Sequence, residues 1–184
     1  SEVVSLADGS TVALASTDDC GATSLQHRLL LKLTPSGALD TAFGNGGISI
    51  LPELPDPIVI DLMVQPDGKL LLVTGTAIAR FGADGSLDPA YGGDGIIPIA
   101  LPGTDPRVNA TDIDDQGRLL VAGTAFEDQM GQPVIRRFLD DGTPDGSFGT
   151  GGSVQTDLFF GDPVLGKSML AKGVGASADG SVYV

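Results

Sequence analysis

Short apolar runs alternate with turn residues along the chain, and the alternation recurs. Val64 to Gly75 reads VQPDGKLLLVTG, Ile113 to Gly123 reads IDDQGRLLVAG, Val4 to Ala15 reads VSLADGSTVALA, and Gly175 to Val184 reads GASADGSVYV. Each has an apolar residue, a turn ending in glycine, and then an apolar run. The turn glycines are Gly9, Gly68, Gly117 and Gly180. A second block lies between these turns: LKLTPSGALDTAFGNGG from Leu31, ARFGADGSLDPAYGGDG from Ala79 and RRFLDDGTPDGSFGTGG from Arg136. Its turn glycines are Gly37, Gly85 and Gly142. Two markers that drift together define a period of about 50 to 60 residues with variable insertions.

Asp-Gly between apolar runs is a strong hairpin signal, because glycine adopts positive φ without a Cβ clash and Asp tolerates the same region. Asp8-Gly9, Asp67-Gly68, Gln116-Gly117 and Asp179-Gly180 are therefore predicted to be two-residue turns between antiparallel strands. The runs Leu70 to Val73 and Leu119 to Ala122 lack polar alternation and read as strands buried on both faces. Lys32-Leu33, Arg80-Phe81 and Arg137-Phe138 end a third strand. Ile48 to Ile50, Ile96 to Ala100 and Ser153 to Gln155 supply a fourth. Leu25 to Leu33 carries a faint helical period but aligns with the third strand. The chain thus reads as one all-β domain, residues 1–184, with units at about 1–57, 58–106, 107–168 and a partial 169–184. Four antiparallel strands per tandem unit is the layout of β-propeller blades; a β-solenoid is the main rival, with coils usually shorter than this period. The count is 14 strands, about three and a half blades of an incomplete ring. That implies either a fragment or a partial ring completed by further blades from the same or another chain. LPELPDP (from Leu51) and Leu101 to Arg107 are predicted to link successive blades.

Composition narrows the partners. Ten Lys and Arg against 24 Asp and Glu give a net charge of −14, which disfavours nucleic acid and anionic membrane surfaces. It leaves cations, basic proteins and neutral glycans open, and it also serves to keep a β-rich chain soluble. One cysteine, Cys20, allows no intrachain disulfide. No apolar run is long enough to span a bilayer as a helix, and no signal peptide is visible at Ser1.

The strings VQPDGKLLLVTG and ARFGADGSLDPAYGGDG resemble the delta-60 repeat, found in large exported bacterial proteins. Gln116, Pro144 and Ser36 depart from the pattern. The resemblance implies a propeller-like array and an extracellular, cell-surface or periplasmic location. It implies no shared catalytic residues.

Asp40, Asp88 and Asp145 hold one equivalent position, and Asp94 follows Asp88 in a glycine-rich loop. Calcium takes such ligands, but capping of each turn by its own carboxylate explains the recurrence without a metal. Asn45 and Thr150 stand where Asp94 does. Asp112, Asp114 and Asp115 read as a solvated acidic loop. Phe43, Tyr91 and Phe148 suit either sugar stacking or packing between blades, and packing is the expectation. His27, the single histidine, has no local triad partners. Cys20 follows two aspartates that oppose a thiolate. The glycine-rich stretches lack the Lys-Ser/Thr of a phosphate loop. Recognition is expected in the unit-specific insertions Thr17 to Gln26, Glu127 to Pro133 and Phe159 to Lys167. Three functional readings follow: a non-catalytic binding or scaffold module of an exported protein, contacting a protein or glycan; part of a propeller enzyme acting on polysaccharide; or a structural subunit completing a ring or fibre.

Overall fold

A computed structural model describes residues 2–17, 27–56, 58–127, 130–156, 171–177 and 180–184. Among these residues there are fourteen strands and no helix. The first blade is β1 (Val3–Ser5), β2 (Thr11–Thr17), β3 (His27–Leu33) and β4 (Ile48–Ile50). The second is β5 (Val59–Val64), β6 (Leu70–Thr74), β7 (Ala77–Phe81) and β8 (Ile96–Pro98). The third is β9 (Thr104–Ile113), β10 (Leu119–Glu127), β11 (Met130–Phe138) and β12 (Ser153–Gln155). Each set is a four-stranded antiparallel meander in chain order, and β13 (Gly175–Ala176) and β14 (Val182–Tyr183) form a two-stranded start to a fourth. The fold is that of β-propeller blades.

Period-two geometry explains the fully apolar second strands. Successive side chains of a strand point to opposite faces, so a blade between two others must be apolar on both. In β6, Leu70 and Leu72 join Val12, Leu30 and Phe43 of the first blade in one core. Leu71 and Val73 join Leu119, Val121 and Val134 of the third in another. In β10, Leu120 and Ala122 turn away to a third core with Ala171, Ala176 and Val182. Blades meet most closely through their first strands, with β5 against β1 and β9, and β13 against β9. The first strands are therefore innermost, and the sheets fan outward from them.

The turns differ from the two-residue expectation. In every one, the glycine N–H donates to the carbonyl three residues back, and the strand pairing closes one residue later. Gly68 donates to Gln65 O at 2.9 Å, and Gln65 N–H donates to Lys69 O at 2.8 Å. This is a three-residue loop with a bulge, in which only the glycine takes positive φ. The glycine φ runs from 76° at Gly117 to 88° at Gly142. The aspartate before it stays at negative φ and acts through its side chain. Asp67 Oδ1 accepts the N–H of Lys69, Asp84 that of Ser86, and Asp141 that of Thr143. Where Gln116 replaces this aspartate, Asp114 takes over, accepting from the N–H groups of Gln116 and Arg118. Asp179 lies outside the described residues, but the fourth-blade turn keeps the same bond, from Gly180 to Ser177.

Two further expectations change. β9 begins at Thr104, so the connector expected over Leu101 to Arg107 is shorter. Glu127 to Pro133 is largely strand, because β10 and β11 extend into a long hairpin in which Glu127 faces Met130. Residues 128–129 lie outside the description.

Candidate functional site

The three recurring aspartates are engaged by the chain itself. Each carboxylate accepts the N–H two residues on, at Ala42, Ala90 and Ser147. Each also pairs with the base one residue before the end of the third strand of its own blade. Lys32 reaches Asp40 at 3.1 Å, Arg80 reaches Asp88 at 2.9 Å and Arg137 reaches Asp145 at 2.7 Å. Lys69 adds a second cation to Asp88 at 3.3 Å, and Arg118 stands 4.0 Å from Asp145. The Lys32 ammonium and the Ala42 N–H hold Asp40 below the ordinary carboxylate range. Burial works against ionisation of Asp88, but the Ala90 N–H, Arg80 and Lys69 outweigh it and its pKa falls. For Asp145 the Ser147 hydroxyl leads, and it overcomes burial together with the Ser147 N–H and Arg137. Asp94 caps its own loop through the Ile96 N–H. Among the described residues no three His, Cys, Asp or Glu side chains converge in a way that could hold a metal.

The base completes a larger cluster. Arg80 lies over the Tyr91 ring, 4.5 Å from its centre, and Arg137 lies over Phe148 at the same distance. Arg80 also donates to the Asp140 carbonyl of the next blade. The aromatic then crosses the blade boundary. Phe43 packs on Gly85, and Tyr91 packs on Gly142; a Cβ on either glycine would fall 2.8 Å and 2.7 Å from the ring. Phe43 and Tyr91 are each 1% exposed. Burial raises the Tyr91 phenol well above its ordinary pKa. The packing expectation for these rings therefore holds at both complete boundaries. Polar links at the first boundary are a bond from Ser49 Oγ to Gly85 O at 2.6 Å and one from Gly44 N–H to Asp84 O at 2.7 Å.

Inner-strand carboxylates are also committed between blades. Asp61 accepts from the Thr111 hydroxyl, and Asp112 accepts from the Ala176 N–H at 2.8 Å. The acidic run is thus not a solvated loop: Asp112 sits in β9, Asp114 anchors a turn and pairs with Arg118 at 2.6 Å, and Asp115 alone is exposed. His27 begins β3. Cys20 and the insertion Phe159 to Lys167 lie outside the described residues, as does Thr17 to Gln26 apart from Thr17 itself, which ends β2.

Phe148 is different. It holds the position of Phe43 and Tyr91 but is only half-buried. Beside it runs an apolar groove of about 480 Å³, formed by Ile135, Val154 and Thr156 of the third blade and Val182 and Val184 of the fourth. Tyr183 and Val184 are 64% and 56% exposed. Sequence reasoning missed both halves of this arrangement. The eight-residue spacing from base to aspartate, in Lys32 and Asp40, Arg80 and Asp88, and Arg137 and Asp145, was a visible signal for the ion pairs. The glycine sockets were read only as turns.

Residues 65–91 and 117–148 match a family described as a domain of unknown function (DUF5122) beta-propeller. Both stretches run from the first turn of a blade to its boundary aromatic. Comparison with curated proteins found no match. A solved structure titled "Glycoside hydrolase" is similar over 73% of this chain at 13% identity, with a TM-score of 0.32. This chain covers 44% of that structure's length.

Proposed function

We propose that the chain is a non-catalytic scaffold module, built from propeller repeats, that recognises a protein or glycan through its blade loops. The engagement of the recurring carboxylates Asp40, Asp88 and Asp145 by the fold's own groups carries this reading. They are the most repeated titratable groups in the chain, and their partners are backbone N–H groups and bases within the fold. The resemblance to delta-60 repeats supports an exported bacterial setting.

Reducing-sugar release from a panel of neutral and acidic polysaccharides tests the reading. No release above the buffer rate is expected. Sustained, concentration-dependent release by the purified chain overturns it. Fractionation of producing cells, probed with an antibody, is expected to place the chain outside the cytoplasm.

A further inference from the structure

The chain contains the Asp-Pro bonds Asp56-Pro57, Asp88-Pro89, Asp105-Pro106 and Asp162-Pro163, the last of which lies outside the described residues. Such a bond carries its own cleavage chemistry. The carboxylate reaches the adjoining main-chain carbonyl carbon, and the proline nitrogen, a tertiary amide, leaves readily once protonated. The fold treats the three described aspartates differently. Asp88 accepts the Ala90 N–H at 3.0 Å and pairs with Arg80 at 2.9 Å and Lys69 at 3.3 Å. Asp56 accepts the Ile58 N–H at 2.8 Å, and its other oxygen occupies the place of a Cβ on Gly75. Asp105 is 75% exposed, and its ion-pair partner is Arg107 at 3.6 Å, itself 69% exposed. A surface pair of this kind holds a carboxylate weakly.

The backbone at Asp105 is also set against its preference. Thr104 pairs with Phe126 and Arg107 pairs with Thr124, so Asp105 and Pro106 together stand opposite Ala125 in a β-bulge. Asp105 takes a φ of 45°, the one non-glycine residue at positive φ among the described residues. A residue before proline favours extended backbone at negative φ. Gly103 holds the bulge in place: its φ is 96°, and a Cβ there would collide with the Ala125 side chain, so the connector lies directly on β10. Breaking the Asp105-Pro106 bond releases this constraint.

We propose that Asp105-Pro106 is a self-cleavage site, opened by mild acid while the blades stay folded. An Asp105 carboxylate oxygen attacks the Asp105 main-chain carbonyl carbon and forms a cyclic anhydride. The C–N bond breaks, and its electron pair passes to the Pro106 nitrogen, which takes a proton from solvent and leaves as a secondary amine. Water then opens the anhydride to a pair of carboxyl groups, so the net reaction is hydrolysis. The products are residues 1–105 and 106–184. The cut falls in the bulge, outside the core that Leu71 and Val73 share with Leu119 and Val121, so the second and third blades stay docked.

The test compares the folded 184-residue chain with the peptide LPGTDPRVNA, residues 101–110. Both are held at about pH 4.5, above the acid range in which the carboxylate ion pairs are lost. Intact-mass spectrometry reads the rates. The chain is expected to yield its two fragments about tenfold faster than the peptide cleaves, the acceleration that release of backbone strain gives. Asp88-Pro89 is expected to stay whole in the same sample. Asp105→Ala is expected to abolish the fragments, and the exposure of Asp105 means that this substitution leaves the core untouched. A folded chain that cleaves no faster than the peptide overturns the proposal. So does cleavage at Asp88-Pro89 at an equal rate, or fragments that persist in Asp105→Ala.

Discussion

The ring of Phe43 fills the space that a Cβ on Gly85 would occupy, three of its carbons lying 2.8–2.9 Å from that point. Gly85 serves two purposes at once: its φ of +81° closes its own hairpin, and its bare α-carbon receives the aromatic of the preceding blade. Gly37 holds the same turn with φ +83° and has nothing within 4 Å of a built Cβ. The pair separates turn strain from boundary packing. Gly37→Ala should cost about 1 kcal/mol from positive φ alone. Gly85→Ala should cost about 3 kcal/mol, because the ring must also move. Urea denaturation of the two variants measures the difference; equal losses would show that Phe43 is not locked against Gly85.

Tyr91 sits fully buried with no hydrogen-bond partner for its hydroxyl among the described residues, at a position where the other two blades carry phenylalanine. A buried hydroxyl without a partner opposes folding. Tyr91→Phe is therefore expected to keep or raise the melting temperature, while Tyr91→Ala should lose about 3–5 kcal/mol through the cavity left between the second and third blades. A clear drop in melting temperature for Tyr91→Phe would reveal a hydrogen bond to the phenol.

Asp145 is ionised below the ordinary carboxylate range, held there by Ser147 and Arg137 against burial. As pH falls, the unfolded chain takes up this proton before the folded chain does. The stabilisation is therefore present above the ordinary carboxylate pKa of about 4 and is lost as pH falls below it, through the lowered folded-state value. Asp88 and Asp40 act in the same direction. Asp145→Asn should remove about 2 kcal/mol at pH 7, since it strands a mostly buried Arg137, and should flatten the acid slope. Denaturant melts from pH 7 to 2.5 read both effects.

Calcium has little to gain from carboxylates that already hold cationic side chains and backbone N–H groups. Millimolar calcium, or its removal by chelator, is expected to leave the melting temperature unchanged within about 1 °C, against the several degrees that a kcal/mol of ligand stabilisation gives a domain of this size. A rise that saturates with calcium would assign a metal to the glycine-rich loops.

The repeat and its strands were legible in the sequence because each has a local cause. The turn glycines mark positions where the backbone takes positive φ, and Leu70 to Val73 can only be a strand covered on both faces. The aspartates at Asp40, Asp88 and Asp145 were legible as caps for the same reason, since the N–H each accepts is two residues away. Tertiary structure decided what crosses a boundary. That Gly85 receives Phe43, and Gly142 receives Tyr91, depends on residues 42 and 51 positions apart being brought into contact by the fan of the blades. The same geometry moved Asp112 out of the loop expected for it and into a bond with the next inner strand. It also left Phe148 half-covered, turning a third copy of a packing residue into the wall of a groove. Local backbone preference writes the blade into each unit. What a blade face offers depends on which blade stands beside it, and no single unit encodes that.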